Sequence, residues 1–205
     1  MTFNGFSRKD FETFHIDGLD ERMEGIRSNI QPKFQALGSE LVPYLSSKLG
    51  DEMYLHIARH ARRSVNPPKD TWLAISENKR GYKKHPHFQV GLFDDHLFIW
   101  LAFIYELPNK QEIAKELLSH FDTFKSLSED FVISLDHMKK DAFPIKELEE
   151  KDLKRFRDVK KAEFLIGKHL PIDNELLSNG HDLLSFIENT YEELIPFYKI
   201  SKHRS

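Results

Sequence analysis

His87-Phe88-Gln89-Val90-Gly91-Leu92-Phe93-Asp94-Asp95-His96-Leu97-Phe98-Ile99-Trp100-Leu101-Ala102-Phe103 reads as two strands joined by an acidic two-residue turn. The first strand is expected over 87–93 and the second over 96–107. From Leu97 to Tyr105 the second strand is apolar on both faces. A strand of that kind lies in the middle of a sheet and is covered twice: by helices on both sides, or by helices on one side and a partner copy on the other. The rest of the chain is therefore read as strands and helices that build and cover this sheet.

Upstream, Thr71 to Ser76 is predicted as a strand, and Met53 to Arg59 as another, with Met53, Leu55 and Ile57 on one face. Leu19, Met23, Ile26, Ile30, Phe34, Leu37, Leu41 and Leu45 recur at steps of three and four. This spacing predicts one long amphipathic helix or two in series, interrupted at Pro32 and stopped at Gly50. Asp10 to Ile16 alternates and is expected to be a strand. Downstream, Asn109 and Glu112 have the spacing of a capping box opening a helix with Ile113, Leu117, Phe121 and Phe124 inward. Asp130 to Asp136 reads as a strand, Leu148 to Lys161 as a short charged helix, Ala162 to Leu170 as a strand, and Asp182 to Tyr198 as the last helix. Four successive strands point to α+β: an antiparallel or mixed sheet of about six to seven strands with about four helices packed on it. The 205 residues are expected to form a single domain.

Composition excludes several chemistries. The chain has no cysteine, which removes disulfides, cysteine-ligated metals and a thiol nucleophile. It has no Gly-x-Gly-x-x-Gly, no Walker loop and no Gly-x-Ser-x-Gly elbow, so no cofactor is expected. The longest apolar stretch, 97–105, falls short of the roughly 20 residues that span a bilayer. The N-terminus lacks a signal-peptide run. A cytoplasmic protein without membrane contact is expected.

Charge is distributed unevenly. Between residues 56 and 87 stand Arg59, Arg62, Arg63, Lys69, Lys79, Arg80, Lys83 and Lys84, against only Asp70 and Glu77. Eight bases and two acids leave +6 in a chain whose total is −3, so the remainder carries −9. The cations lie in two loops, 60–70 and 77–86, joined by the strand 71–76. If the loops meet, the segment 59–87 is an anion site: guanidinium forks match phosphate or carboxylate, and lysine adds point charge. His60, Arg62, Arg63, Lys69, Lys79, Arg80 and His87 are the expected ligand contacts, with an anionic small molecule or phosphate group as partner. Tyr82, His85 and Phe88 interleave rings with charge, as single-strand nucleic-acid binders do, which keeps nucleic acid as a second partner class. If the loops diverge, they are a solvated face neutralised by acids from elsewhere. The pairs His56/His60 and His85/His87 have metal-ligand spacing, yet the surrounding positive charge repels a cation, so no metal is expected.

Two other functions are open. A metal-independent phosphate-ester hydrolase or transferase would use His60 or His137 as base and Asp136 to orient it. An interaction protein would use the two-faced apolar strand as its surface.

The stretch His60-Ala61-Arg62-Arg63-Ser64-Val65-Asn66-Pro67-Pro68-Lys69-Asp70-Thr71-Trp72 resembles the signature of the YktB-like family, as do Lys79-Arg80-Gly81-Tyr82-Lys83, Pro86-His87-Phe88-Gln89 and Leu135-Asp136-His137-Met138. Gly18-Leu19-Asp20-Glu21-Arg22-Met23 and Leu194-Ile195-Pro196-Phe197-Tyr198 extend the likeness over nearly the whole chain. The resemblance implies a cytoplasmic α+β protein of Gram-positive bacteria with no assigned activity. It carries over no catalytic residue. It favours His60, Arg62, Arg63, Lys79, Arg80 and His87 over His85 as site residues.

Overall fold

The structure, a computed structural model, describes residues 1–202. Seven strands form one sheet in the order β1-β2-β3-β4-β7-β5-β6, and every neighbouring pair is antiparallel. The strands are β1 (Tyr54–Ile57), β2 (Thr71–Ser76), β3 (His87–Leu92), β4 (His96–Phe103), β5 (Val132–Ser134), β6 (Phe143–Pro144) and β7 (Phe164–Pro171). Six α-helices accompany them: α1 (Arg8–Glu12), α2 (Leu19–Gly25), α3 (Gln31–Leu49), α4 (Lys110–Ser119), α5 (Glu150–Asp158) and α6 (Gly180–Lys202). The fold is α+β, with two helices more than expected. No helix among the described residues is long and apolar enough to cross a membrane.

The hairpin turns at Asp94-Asp95, where the Phe93 N–H donates to the His96 carbonyl at 3.0 Å. β4 lies centrally between β3 and β7, and all eight of its residues are buried. Leu97, Ile99, Leu101 and Phe103 enter the main core, where α3 and α6 present Phe34, Leu37, Ile187 and Leu194. Phe98, Trp100 and Ala102 face the other way and join Phe93, Ile104 and Leu165 in a second, smaller core. That outer face is closed by neighbouring strands and a loop: Trp72 of β2, Val132 of β5 and Ala142 pack on it, and Tyr82 and His137 lie against Trp72 in turn. β4 therefore presents no open apolar face to a partner.

Two local expectations change. Residues 10–16 are not a strand but α1 followed by a 3-10 turn, Thr13–His15. The Asp10 carboxylate accepts the Ser7 N–H at 2.8 Å and pairs with Lys33 at 2.5 Å, so the chain starts as a capped helix. Phe11 and Phe14, three residues apart, are then both buried; a strand would place them on opposite faces. Pro32 does not break the helical path. It occupies the first turn of α3, where its missing N–H is not needed, and a π-helical turn, Ile26–Ile30, carries the chain from α2 into α3. Gly50 ends α3 in the left-handed region at φ 71°, as expected. The Asn109 side chain makes no capping hydrogen bond, and Phe121 and Phe124 lie in a 3-10 turn beyond α4.

Candidate functional site: a basic groove with an aromatic floor

The two basic loops leave β2 at opposite ends, because 58–70 runs into Thr71 and 77–86 leaves from Ser76. They nevertheless meet. The second loop folds back along the outer face of β2, and the Trp72 indole N–H donates to the Tyr82 hydroxyl at 3.1 Å. Between them opens a groove of about 1280 Å³. Its walls come from β1, both loops and one side of α3, which contributes Gln31 and Gln35.

Side chains anchor the second loop from below. His56 Nε2 bonds the Asn78 carbonyl at 2.8 Å, and the Ser76 hydroxyl reaches the Gly81 carbonyl at 3.2 Å. Glu77 binds His85 at 3.1 Å and also pairs with Lys202 at the end of α6. Under Tyr82 lies His87, fully buried, with ring centres 4.8 Å apart. Its Nδ1 meets the His85 carbonyl at 2.9 Å and its Nε2 meets the Gln89 amide at 2.8 Å. That pattern requires a neutral ring with the proton on Nδ1. Burial agrees, holding the imidazole down at about 4.

The expected site residues divide accordingly. His60, Arg62, Arg63, Lys79 and Arg80 all line the groove. Lys69 is exposed and lies outside its lining, and His87 is sealed beneath the floor. Arg59, Lys83 and Lys84 complete seven cations in the lining, where among the described residues Glu106 is the only carboxylate. Glu106 pairs with Lys83 at 3.6 Å. Among the described residues, Arg59, Arg62, Arg63, Lys79, Arg80 and Lys84 have no carboxylate at ion-pair distance. Arg63 donates to the Asn66 carbonyl at 3.2 Å within its own loop.

The floor is aromatic. His60 stands edge-on to Trp72 at 5.5 Å, and Tyr82 lies 5.6 Å from His56. Among the described residues His60 is the one non-glycine with positive φ, at 52°. Its Nε2 meets the Thr71 hydroxyl at 3.1 Å, which holds the ring across this left-handed turn. Burial first, and then the Arg63 charge, keep it neutral with a pKa of about 4.

On the far side of Trp72 lies a second cluster. Glu163, only 3 % exposed, accepts both the His137 backbone N–H at 2.9 Å and its Nδ1–H at 2.7 Å. Trp72 and His137 are 6.3 Å apart, ring to ring. Burial opposes charge on His137, but the Glu163 carboxylate outweighs it and raises the imidazole above its ordinary value. Asp70, 5 % exposed, is pushed up to about 6 by burial, against the pull of His137 and Arg63. The residue that orients His137 is therefore Glu163, with Asp136 turned to the Met138 N–H at 2.9 Å. Asp136, His137 and Glu163 offer donor atoms within 4.8 Å of one another, the spacing of a metal site. Glu163 already occupies the His137 Nδ1, so the trio stands as a hydrogen-bonded pair with a neighbouring acid.

Sequence reasoning missed Trp72, Glu163 and the buried state of Asp70. Trp72 does carry a signal, since it shares the outer phase of β2 with Ala74 and Ser76. Glu163 carries none, because its contact to His137 spans 26 residues.

The family model described as a domain of unknown function, DUF1054, matches residues 6–198. A UPF0637 protein of Oceanobacillus iheyensis is 62% identical over 198 residues, 97% of each chain. A UPF0637 protein of Shouchella clausii is 59% identical over 203 residues, 98% of this chain and 96% of that one. A UPF0637 protein of Listeria monocytogenes serotype 4a is 57% identical over 202 residues, 98% of this chain and 99% of its own. These Gram-positive relatives fit the YktB-like resemblance, and the chain belongs to the DUF1054 family of uncharacterised proteins.

Proposed function

We propose that the protein binds a phosphorylated or otherwise anionic ligand in the groove between the two basic loops. The observation that carries this reading is the set of six cations on one groove with no carboxylate partner among the described residues. A solvated face in a chain of net −3 would draw acids over; here acids such as Glu192 and Glu150 pair elsewhere, with Lys48 and Lys154. Like charges held together raise the local potential, and a bound anion relieves that repulsion. The compartment that fits such a ligand is the cytoplasm.

The test is calorimetric titration of the whole protein with inorganic tripolyphosphate at 50 and 200 mM salt. The double variant Arg62→Ala/Arg63→Ala should bind at least about tenfold more weakly, one charged hydrogen bond being worth about 1.5–3 kcal/mol. Its melting temperature should stay near the wild type, because Arg62 is exposed and Arg63 half-buried. Equal binding by the variant, or no binding by the wild type, ends the reading.

The His137–Glu163 pair favours a second reading, a metal-independent phosphate-ester hydrolase or transferase with His137 as the base. The carboxylate fixes one ring nitrogen and raises the basicity of the imidazole. Glu163→Gln should lower the His137 pKa, followed by the imidazole C–H shift across pH. Cleavage of p-nitrophenyl phosphate should fall with it; cleavage that survives His137→Asn ends the reading.

A further inference from the structure

We infer that the ligand carries a planar ring as well as phosphate: the groove takes a nucleotide unit, its base on the floor at Trp72 and Tyr82 and its phosphates among Arg62, Arg63, Lys79 and Arg80. This rests on the anion-binding reading above and specifies its ligand.

The distribution of chemistry inside the groove supports it. A site for a bare phosphate gathers N–H donors and cations at its centre. Here the rings of His56, His60, Trp72 and Tyr82 are half-buried in the lining, while Arg59, Arg62, Lys79, Arg80, Lys83 and Lys84 are exposed. His60, Trp72, Tyr82 and His56 run as a continuous series of rings at 5.5 Å, then through the Trp72–Tyr82 hydrogen bond, then at 5.6 Å. Bases stack on such platforms while flanking cations hold the backbone. The volume points the same way. About 1280 Å³ is far more than one phosphate fills and exceeds the roughly 300–1,000 Å³ of small-molecule sites, so a base and its phosphates fit with room to spare.

The platform is set before a ligand arrives. Trp72 is tied to Tyr82, Tyr82 rests on the fully buried His87, and His87 is locked at both nitrogens. A ring that lands there orders little that is loose, so little affinity is lost to ordering. Carboxamides supply the groups that read a base edge. Gln35 is exposed on the α3 wall. Asn78, also in the lining, uses its Oδ1 for the Arg80 N–H at 2.8 Å, and its amide NH2 makes no hydrogen bond among the described residues. Asn and Gln amides match the paired donor and acceptor of a base edge. The left-handed His60 also belongs here: strain of that kind is retained where a side chain must be aimed, and His60 is aimed at the floor.

The experiment compares three probes on the wild-type protein: tripolyphosphate, ATP with the same three phosphates plus a base, and a ten-residue single-stranded oligothymidylate. Calorimetry gives the affinities. Tryptophan emission reports stacking, because Trp72 lines the groove while Trp100 is buried in the second core. The expected result is ATP binding about 5- to 150-fold tighter than tripolyphosphate, the contribution of one stacked base, with quenching by the base-bearing probes that bind and none by tripolyphosphate. Trp72→Ala should cost ATP more affinity than it costs tripolyphosphate, closing the ratio between the two. If circular dichroism shows that Trp72→Ala does not fold, Tyr82→Leu and the wild-type ratio decide. An oligonucleotide that outcompetes ATP supports the inference with a nucleic-acid strand as the source; ATP ahead supports it with a free nucleotide. Equal affinity for ATP and tripolyphosphate without quenching overturns the inference and leaves the anion site standing. A wild type that does not bind tripolyphosphate overturns both.

Discussion

Replacing Asp70 with Asn should make the protein more stable at neutral pH. The Asp70 carboxyl is 5 % exposed and its pKa is pushed up to about 6, from an ordinary value of 3.8. A carboxyl whose folded pKa lies above its unfolded one binds its proton more tightly in the folded state. Its contribution is therefore intact below about pH 4 and is lost as pH rises through about 6. A shift of about two units at roughly 1.36 kcal/mol each sets an upper bound of about 3 kcal/mol. Asparagine keeps the shape and polarity and removes the charge. For a chain of 205 residues, 1–3 kcal/mol is a rise of roughly 3–10 °C in melting temperature. The assay is urea unfolding of wild type and Asp70→Asn from pH 4 to pH 8. The gap between them should be small near pH 4, widen to about pH 7 and stay flat above, since every other titrating group is common to both. A variant less stable than wild type at pH 8 would refute the reasoning: it would mean that the carboxylate is ionised and held by Arg63 and His137 more strongly than burial opposes it. The confirming result would identify a destabilising acid kept beside the groove floor, which is what a functional site tolerates and a purely structural one does not.

Acid should weaken the fold by a separate route. Burial holds His87 at about 4 and His169 at about 3, both neutral when folded; each then costs about 2 kcal/mol of stability between pH 7 and pH 5, as the unfolded chain takes up protons near pH 6.5. Urea midpoints that stay constant over that interval would show the rings are less enclosed than they are here. Lys110, buried at the foot of α4, donates to the carbonyls of Val159 at 2.5 Å, Lys160 at 3.1 Å and Ala162 at 3.0 Å, closing the end of α5. Lys110→Met strips those carbonyls of their donor and should cost about 2–4 kcal/mol in chemical unfolding; a change under about 0.5 kcal/mol would mean that water replaces the ammonium.

The sheet was legible where burial writes itself into the chain. β4 is apolar on both phases because both of its faces are covered, and the Asp94-Asp95 turn marks its partner. β6 was not legible: two residues, Phe143–Pro144, have no periodicity to read. Asp10 to Ile16 misled because Phe11, Thr13 and Phe14 are all buried, so a helical turn mimics alternation at one of its two phases. At the site, the excess of positive charge was plain, but its convergence was not. The loops leave opposite ends of β2, and contacts between residues distant in the pattern, His56 to the Asn78 carbonyl and Trp72 to Tyr82, fold the second back toward the first. The orienting acid of His137 was out of reach for a related reason. Asp136 is adjacent in sequence yet turns to the Met138 backbone, while Glu163 arrives from the start of β7.

β1 is an outer strand of the sheet, four residues long, and its far side borders the groove. An unpaired strand edge invites a second molecule to add its own strand, and proteins blunt such edges with short strands and charge. Here Arg59 follows the last residue of β1 by two positions, and Arg62, Arg63, Lys79 and Arg80 surround the same opening. Two copies approaching edge to edge bring two sets of like charge together. The cations proposed to recruit an anion would by the same charge oppose edge-to-edge pairing of copies, and a charge-neutralising change at the opening should lower solubility.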